Sequence, residues 1–391
     1  MAPASALRPL RATALLLLAL LLAACEAVPT AGLGGGPSVA RGQPVPVALL
    51  VPGPAGQPGD AAVSRDLERA ARLAAADLQG ATVDLRVYTT GGQAAGASAA
   101  ASQAIADGAA VIVGPLYADA ANAVGLAARE AGVNVLAFSN NTAIAGGNVF
   151  VLGPTFENTA ERVLGFAARQ GRDDVLVVAA NNAAGEAALA AAQRAAGATG
   201  ARVAGVARYD FSQQGVSAAA PRVAEAVRAT GADTVLLTSD TAGALPLWAQ
   251  LLPEQGVRPP AQQFVGLTRW DIPPATLALS GLQGGWFALP DPARAAAFRA
   301  RYEAAHGAAP HPLAGLAYDA VAAVGALAAE GGDLGSGALT RAQGFEGTGG
   351  VFRLRRDGTV ERGLAVAEVR GGEAVIVDPA PERFGGRGFG L

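Results

Sequence analysis

Short apolar segments rich in Val, Leu and Ile alternate with alanine-rich amphipathic segments along most of the chain, and no other feature constrains its fold as much. PVPVALLVP (44–52) leads into SRDLERAARLAAADL (64–78), and TVDLRVYTT (82–90) precedes SAAASQAIADG (98–108). AAVIVGP (109–115) precedes DAANAVGLAAREAG (119–132), and VNVLAFS (133–139) follows. Continuous apolar runs are what strands buried on both faces require, so the pattern predicts parallel sheet covered by helices on each side. Gly80, Gly108 and Gly132 sit just past helical runs, where a left-handed residue ends a helix.

The pattern then restarts. VFVLGPTFENTAERVLGFAARQG (149–171) opens a second series, continued by DVLVVAANN (174–182), ARVAGVARYD (201–210), DTVLLTSD (233–240) and QFVGLTR (263–269). The chain is therefore expected to carry two βα arrays of similar size. Two helical segments follow, DPARAAAFRARYEAAHG (291–307) and PLAGLAYDAVAAVGALAAEG (312–331). Residues 350–377 read as one antiparallel ribbon with turns at Asp357-Gly358 and Gly371-Gly372.

In open α/β sheets ligands bind beyond the carboxyl ends of the strands. That rule selects Pro52-Gly53, Pro115-Leu116-Tyr117 and Ser139-Asn140-Asn141-Thr142 in the first array. In the second it selects Asn181-Asn182, Ser239-Asp240-Thr241 and Thr268-Arg269-Trp270. The candidate ligand contacts are thus Leu116, Tyr117, Ser139, Asn140, Asn141, Thr142, Asn181, Asn182, Ser239, Asp240, Thr268 and Trp270. Four consecutive polar side chains at 139–142 suit a carboxylate or sugar hydroxyl, although Ser, Asn and Thr equally cap helices and build turns.

Catalytic machinery is harder to find. All 29 basic residues are arginines, so there is neither a Schiff-base lysine nor the GxxxxGK[ST] phosphate loop. The only histidines, His306 and His311, flank Pro310 in a turn and do not share a helix face as a zinc pair would. GPAGQPG (53–59) lacks dinucleotide-loop spacing, and its prolines remove donors. No catalytic residue, metal ligand or cofactor is assigned, and the chain is expected not to be an enzyme. Its formal net charge of −3 argues against nucleic-acid binding.

At the N-terminus, Arg8 and Arg11 precede an apolar run from Ala14 to Ala24, the order of a secretory signal. A permanent span needs roughly 20 apolar residues, which this run lacks. Leu22-Ala23-Ala24-Cys25 resembles the bacterial lipobox, which implies cleavage after residue 24 and lipidation of Cys25, the one cysteine of the chain. Glu26 in place of aspartate then favours the outer membrane. Residues 25–44 are Gly- and Pro-rich and read as a flexible linker, spanning roughly 25 Å as a coil and about 65 Å fully stretched. Residues 379–391 are expected to form a disordered tail.

Two successive arrays, a return through two helices and a closing ribbon resemble the type I periplasmic binding proteins from about Pro46 to Val377. VALLVPG with AARLAAADL, AAVIVGPLYADAANAV and AYDAVAAV are similar to the leucine/isoleucine/valine-binding branch. The lipobox, Gly114-Pro115-Leu116, the NVLAFSN strand, the Phe150–Glu157 crossover and FEGTGGVFRL further resemble the penicillin-binding-protein activator lipoproteins. The resemblance implies an α/β fold of two doubly wound parallel-sheet lobes with a hinge of three crossovers. It places 45–150 with 290–343 in lobe 1, and 151–289 with 344–378 in lobe 2. It also implies a periplasmic, lipid-anchored regulator of peptidoglycan synthesis that contacts a peptidoglycan synthase or other envelope protein. The alternative is the substrate-binding component of an ABC importer for branched-chain amino acids or related small molecules, partnered by an ABC permease. Amino-acid-binding members carry an aromatic where this chain has Ala184 and an acidic residue near Thr268-Arg269. Here both places differ.

Overall fold

A computed structural model describes residues 37–384. The expected leader, Cys25 and residues 385–391 lie outside the described residues.

The first array folds as β1 (Val45–Val51), α1 (Asp60–Asp77), β2 (Val83–Thr89), α2 (Ala94–Ala106), β3 (Val111–Val113), α3 (Ala118–Ala128), β4 (Asn134–Ala137) and β5 (Val149–Val151). Its five strands are all parallel in the order β2-β1-β3-β4-β5. The second array contains α4 (Phe156–Arg169), β6 (Asp174–Ala180), α5 (Ala183–Thr199), β7 (Arg202–Tyr209) and α6 (Gln213–Thr230). It continues with β8 (Thr234–Leu237), α7 (Leu245–Glu254), β9 (Gln263–Gly266) and β10 (Trp286–Leu289). Its parallel strands run β7-β6-β8-β9-β10, the same order as the first sheet. In each sheet the order reverses between the first and third strands, leaving a crevice at their carboxyl ends.

Both sheets are covered on both faces. Val47, Leu49 and Val113 pack against α1, α8 (Pro292–His306) and α9 (Ala314–Glu330), while Leu50, Ile112 and Val135 face α2 and α3. In the second sheet Leu176, Val178 and Val235 face α6 and α7, while Val175, Val177 and Leu236 face α4 and α5. A fully buried Leu, Val or Phe adds about 1.5–3 kcal/mol, which is why a core of this size needs no disulfide. Alanine brings the helices close. Ala70, Ala71 and Ala74 of α1 share the first core with Ala317, Ala320 and Ala323 of α9.

Three expectations are corrected. The ribbon of 350–377 is divided, although both predicted turns occur. β11 (Phe345–Gly347), β12 (Gly350–Leu354) and β13 (Val360–Arg362) form a separate three-stranded sheet. Its Phe345, Phe352, Leu354 and Val360 enter the first core, so the segment assigned to lobe 2 from 344 onward joins the second sheet only later. There β14 (Ala365–Arg370) pairs antiparallel with β10, and β15 (Glu373–Asp378) extends the edge. The end of the expected flexible linker is docked: Val39 N donates to Gly332 O at 2.9 Å, and Val39 packs on the first core. The start of the expected disordered tail is also packed, with the Arg353 guanidinium 4.7 Å from the centroid of the buried Phe384 ring.

The sheets are joined at residues 152–155, 290–291 and 363–364. Arg362 gathers these connections. Its Nε and Nη2 donate to Leu152 O at 3.0 and 2.8 Å, and its Nη1 donates to Asp319 Oδ2 at 2.8 Å. Its backbone N donates to Asn158 Oδ1 at 2.7 Å. Asp319 Oδ1 accepts from Thr348 N at 2.7 Å, and Asp291 N donates to Gly349 O at 2.8 Å.

Candidate functional site

The first crossover leaves β5 at its carboxyl end and enters α4, whose N-terminus lies at the carboxyl end of β6 because α4 runs antiparallel to that strand. The carboxyl edges of both sheets are thereby turned toward the connecting segments. All the strand-end loops chosen from sequence lie on these two edges.

On the first edge, Gly114 ends β3 with φ +89°, and a Cβ there would lie 2.3 Å from Leu50 O. Only glycine passes so close to β1 and turns into the next loop. That loop carries Leu116, which packs on the first core, and Tyr117, whose hydroxyl donates to Asp60 Oδ1 at 2.5 Å. Asp60 opens α1, is 3% exposed, and accepts from Gln57 N at 2.7 Å through its other oxygen. Burial, followed by the Asp60 bond and charge, pushes the Tyr117 phenol up to about 12. At neutral pH it is therefore a fixed donor.

After β4, the buried Ser139 accepts from Asn141 N at 3.1 Å, and Asn141 Oδ1 accepts from Ala143 N at 3.0 Å. Asn140 points to solvent. Thr142 Oγ1 donates to Glu157 Oε1 at 3.3 Å, and Glu157 also pairs with Arg194 on α5. The 139–142 loop is thus tied to the helices of the second sheet.

The second edge is similarly self-bonded. Asn181 Nδ2 donates to Asp210 Oδ1 at 2.8 Å, and Asn182 caps α5 by accepting from Gly185 N at 2.8 Å. Asp240 Oδ1 accepts from Gly243 N at 2.6 Å, and Thr268 Oγ1 donates to Ser239 O at 3.2 Å. The buried Ser239 Oγ, just beyond β8, has no hydrogen-bond partner among the described residues, and neither have the buried Tyr209 hydroxyl and Trp248 Nε1 of the same half. Burial pushes the neighbouring Tyr209 phenol upward.

Trp270 is corrected as a contact. Its side chain is 0% exposed, stacks on Phe287 at 5.7 Å between centroids, and belongs to the second core. Arg269 is engaged locally by Asp271 through Nε at 2.9 Å and Nη2 at 2.5 Å. Ala184 is exposed and offers no ring.

Three residues on these edges were missed. Asp60 carries no sequence signal for pairing with a tyrosine 57 positions away. Glu157 reads as an ordinary acidic first-turn residue. Phe211, 61% exposed, follows β7 with its ring 3.4 Å from where a Gly243 Cβ would sit. Its signal was available: an aromatic two residues past a strand that ends in Tyr209.

The arrangement supplies hydrogen-bonding groups and apolar surface at the carboxyl edge of each sheet. Among the described residues there is no cluster of three or more His, Cys, Asp or Glu placed to hold a metal ion. His311 Nδ1 accepts from Leu313 N at 3.2 Å, and His306 packs edge-on against Tyr302, so both serve the turn between α8 and α9. No described helix is long and apolar enough to cross a membrane.

Residues 44–374 match the family described as periplasmic binding protein. No curated protein sequence matches the chain. Among solved structures, a branched-chain amino acid ABC transporter periplasmic ligand-binding protein from Burkholderia xenovorans is 20% identical with a TM-score of 0.67, covering 87% of this chain and 96% of its own. An ABC transporter substrate-binding protein from Desulfitobacterium hafniense in complex with Leu is 16% identical, with TM-score 0.61 and coverage of 86% and 100%. An ABC transporter solute-binding protein from R. palustris in complex with benzoate is 20% identical, with TM-score 0.56 and coverage of 87% and 98%. At these identities the likeness establishes the fold.

Proposed function

The chain belongs to the periplasmic binding protein family, and from that premise we propose that it is a non-enzymatic solute receptor serving an ABC permease. It closes two lobes on a small molecule and is held at a membrane by a lipidated Cys25. The observation that carries this reading is the repeated strand order, which turns two switch-point crevices toward one set of crossovers. Tyr117 and the 139–142 loop form the first wall; Asn181, Asn182, Ser239, Asp240 and Thr268 form the second.

The residues argue against a free amino acid as cargo. Ala184 brings no aromatic, and at the β9 loop Arg269 and Asp271 neutralise each other. The one carboxylate placed on the second wall, Asp240, already accepts from Gly243 N through Oδ1, and an ammonium left unpaired in the cleft costs several kcal/mol, more than a hydroxyl contact of about 1 kcal/mol returns. A related small molecule lacking that group fits better. Calorimetry with leucine, benzoate and a muropeptide tests the reading: saturable one-to-one binding of a solute, recovered unchanged, is expected. Absence of binding by all three, together with capture of a synthase, would overturn it.

A second reading, a regulator bound to a peptidoglycan synthase from the outer membrane, is favoured by the internal use of most polar strand-end groups. Phe211 and Ile272, 61% and 47% exposed, then become contacts for a protein partner. Membrane fractionation separates the readings, since a permease partner requires the inner membrane. Cys25→Ser releases the chain from membranes in either case.

A further inference from the structure

A groove of about 310 Å³ opens where α4, the end of α5 and the β12–β13 hairpin meet, away from the strand-end crevices. Five arginines line it: Arg162 and Arg169 from α4, and Arg353, Arg355 and Arg362 from the hairpin. Gly165, Ala198 and Thr199 contribute small side chains and leave the space open.

The guanidiniums outnumber the carboxylates that hold them. Asp378 Oδ2 accepts from Arg162 Nη1 at 2.7 Å and from Arg169 Nη2 at 2.8 Å. Glu361 Oε2 accepts from Arg353 Nη2 at 2.8 Å and Arg355 Nη2 at 3.1 Å, and Glu161 Oε2 accepts from Arg355 at 2.9 Å. Asp319 takes Arg362. Among the described residues, four carboxylates thus face five arginines, and two of the four are each shared between two cations. A guanidinium carries five N–H donors, so Arg169, with one ion-pair bond, keeps most of its donors for other partners.

We propose that this groove binds a small oxyanion, a carboxylate or phosphate group, between Arg169, Arg353 and Arg355. Planar oxyanions accept paired bonds from guanidinium, and one bound negative charge cancels the local excess. The hairpin packs on the first core and α4 on the second, so the anion also clamps the two across the third crossover. This site does not depend on the solute reading, because none of its residues lies on the strand-end loops.

Inorganic phosphate titrated into the mature full-length chain at fixed ionic strength is the test. Saturable binding at about 1 mM or tighter is expected, weakened about ten-fold or more by Arg169→Gln and by Arg355→Gln. Arg169 is half exposed and lies outside both cores, so its variant keeps a folded reporter should Arg355→Gln destabilise the chain. The Ser139→Ala/Thr142→Ala chain should bind phosphate as the wild type does, whatever happens to solute binding. Non-saturable heats, or unchanged affinity in folded Arg169→Gln, would overturn the proposal.

Discussion

Replacing Arg362 by methionine keeps most of the side-chain volume and removes the charge that ties the crossovers together. Its side chain is 12% exposed and that of Asp319 only 1%, so the pair is shielded from water. The substitution strips Leu152 O of two donors and leaves the Asp319 carboxylate with the Thr348 N–H alone among these contacts. Breaking one partner of a buried pair costs about 3–5 kcal/mol, because the remaining charge stays buried and uncompensated. The loss is therefore expected in that range, measured by urea unfolding with fluorescence and circular dichroism followed together. Removing the second charge as well, in Arg362→Met/Asp319→Leu, should recover a large part of it. Hydrogen exchange should quicken at residues 152–158 and 347–349 while β6 stays protected. A loss below about 1 kcal/mol, or a double variant no more stable than the single one, would show that Arg362 and Asp319 are not a buried, coupled pair.

Three further perturbations address the site. Because the Tyr117 phenol is raised to about 12, the folded state favours its neutral form; the stability linked to it is complete below pH 10 and lost as pH rises through 12. Tyr117→Phe should flatten that decline in alkaline unfolding curves, and an unchanged slope would remove the Asp60 bond from the account. Gly114→Ala should cost about 1–3 kcal/mol from its positive φ alone, plus the contact with Leu50 O, and a melting temperature equal to wild type would contradict the close approach. Ser139→Ala/Thr142→Ala should weaken solute binding about ten-fold with little change in melting temperature, read by calorimetry; equal affinity would move the site off this loop.

Much of the fold could be read from the sequence because strands buried on both faces leave an unbroken apolar signature. VALLV, VIV, VLVVAA and TVLL are such runs, and each became a strand. Where the outcome depended on which neighbour a segment would meet, the signature was silent. VFRL and AVAEV alternate alike, yet one enters the first core and the other extends the second sheet. Val39 docks through backbone bonds that any residue can make, so its Gly/Pro-rich context read as coil. Strand-end loops were legible as loops, but the spending of their side chains was not: Asn182 caps a helix, Asp240 closes a turn onto Gly243 N, Thr268 bonds a carbonyl, and Trp270 fills the core. Those choices follow from geometry several residues away.

A solute receptor of this fold must close its two strand-end crevices on a small molecule without altering it. Small-angle scattering of the mature chain, with and without a saturating solute identified by calorimetry, measures that closure directly. A smaller radius of gyration with ligand, and the ligand recovered intact by mass spectrometry, is the predicted result. An unchanged radius at saturation, or a chemically converted ligand, would contradict it.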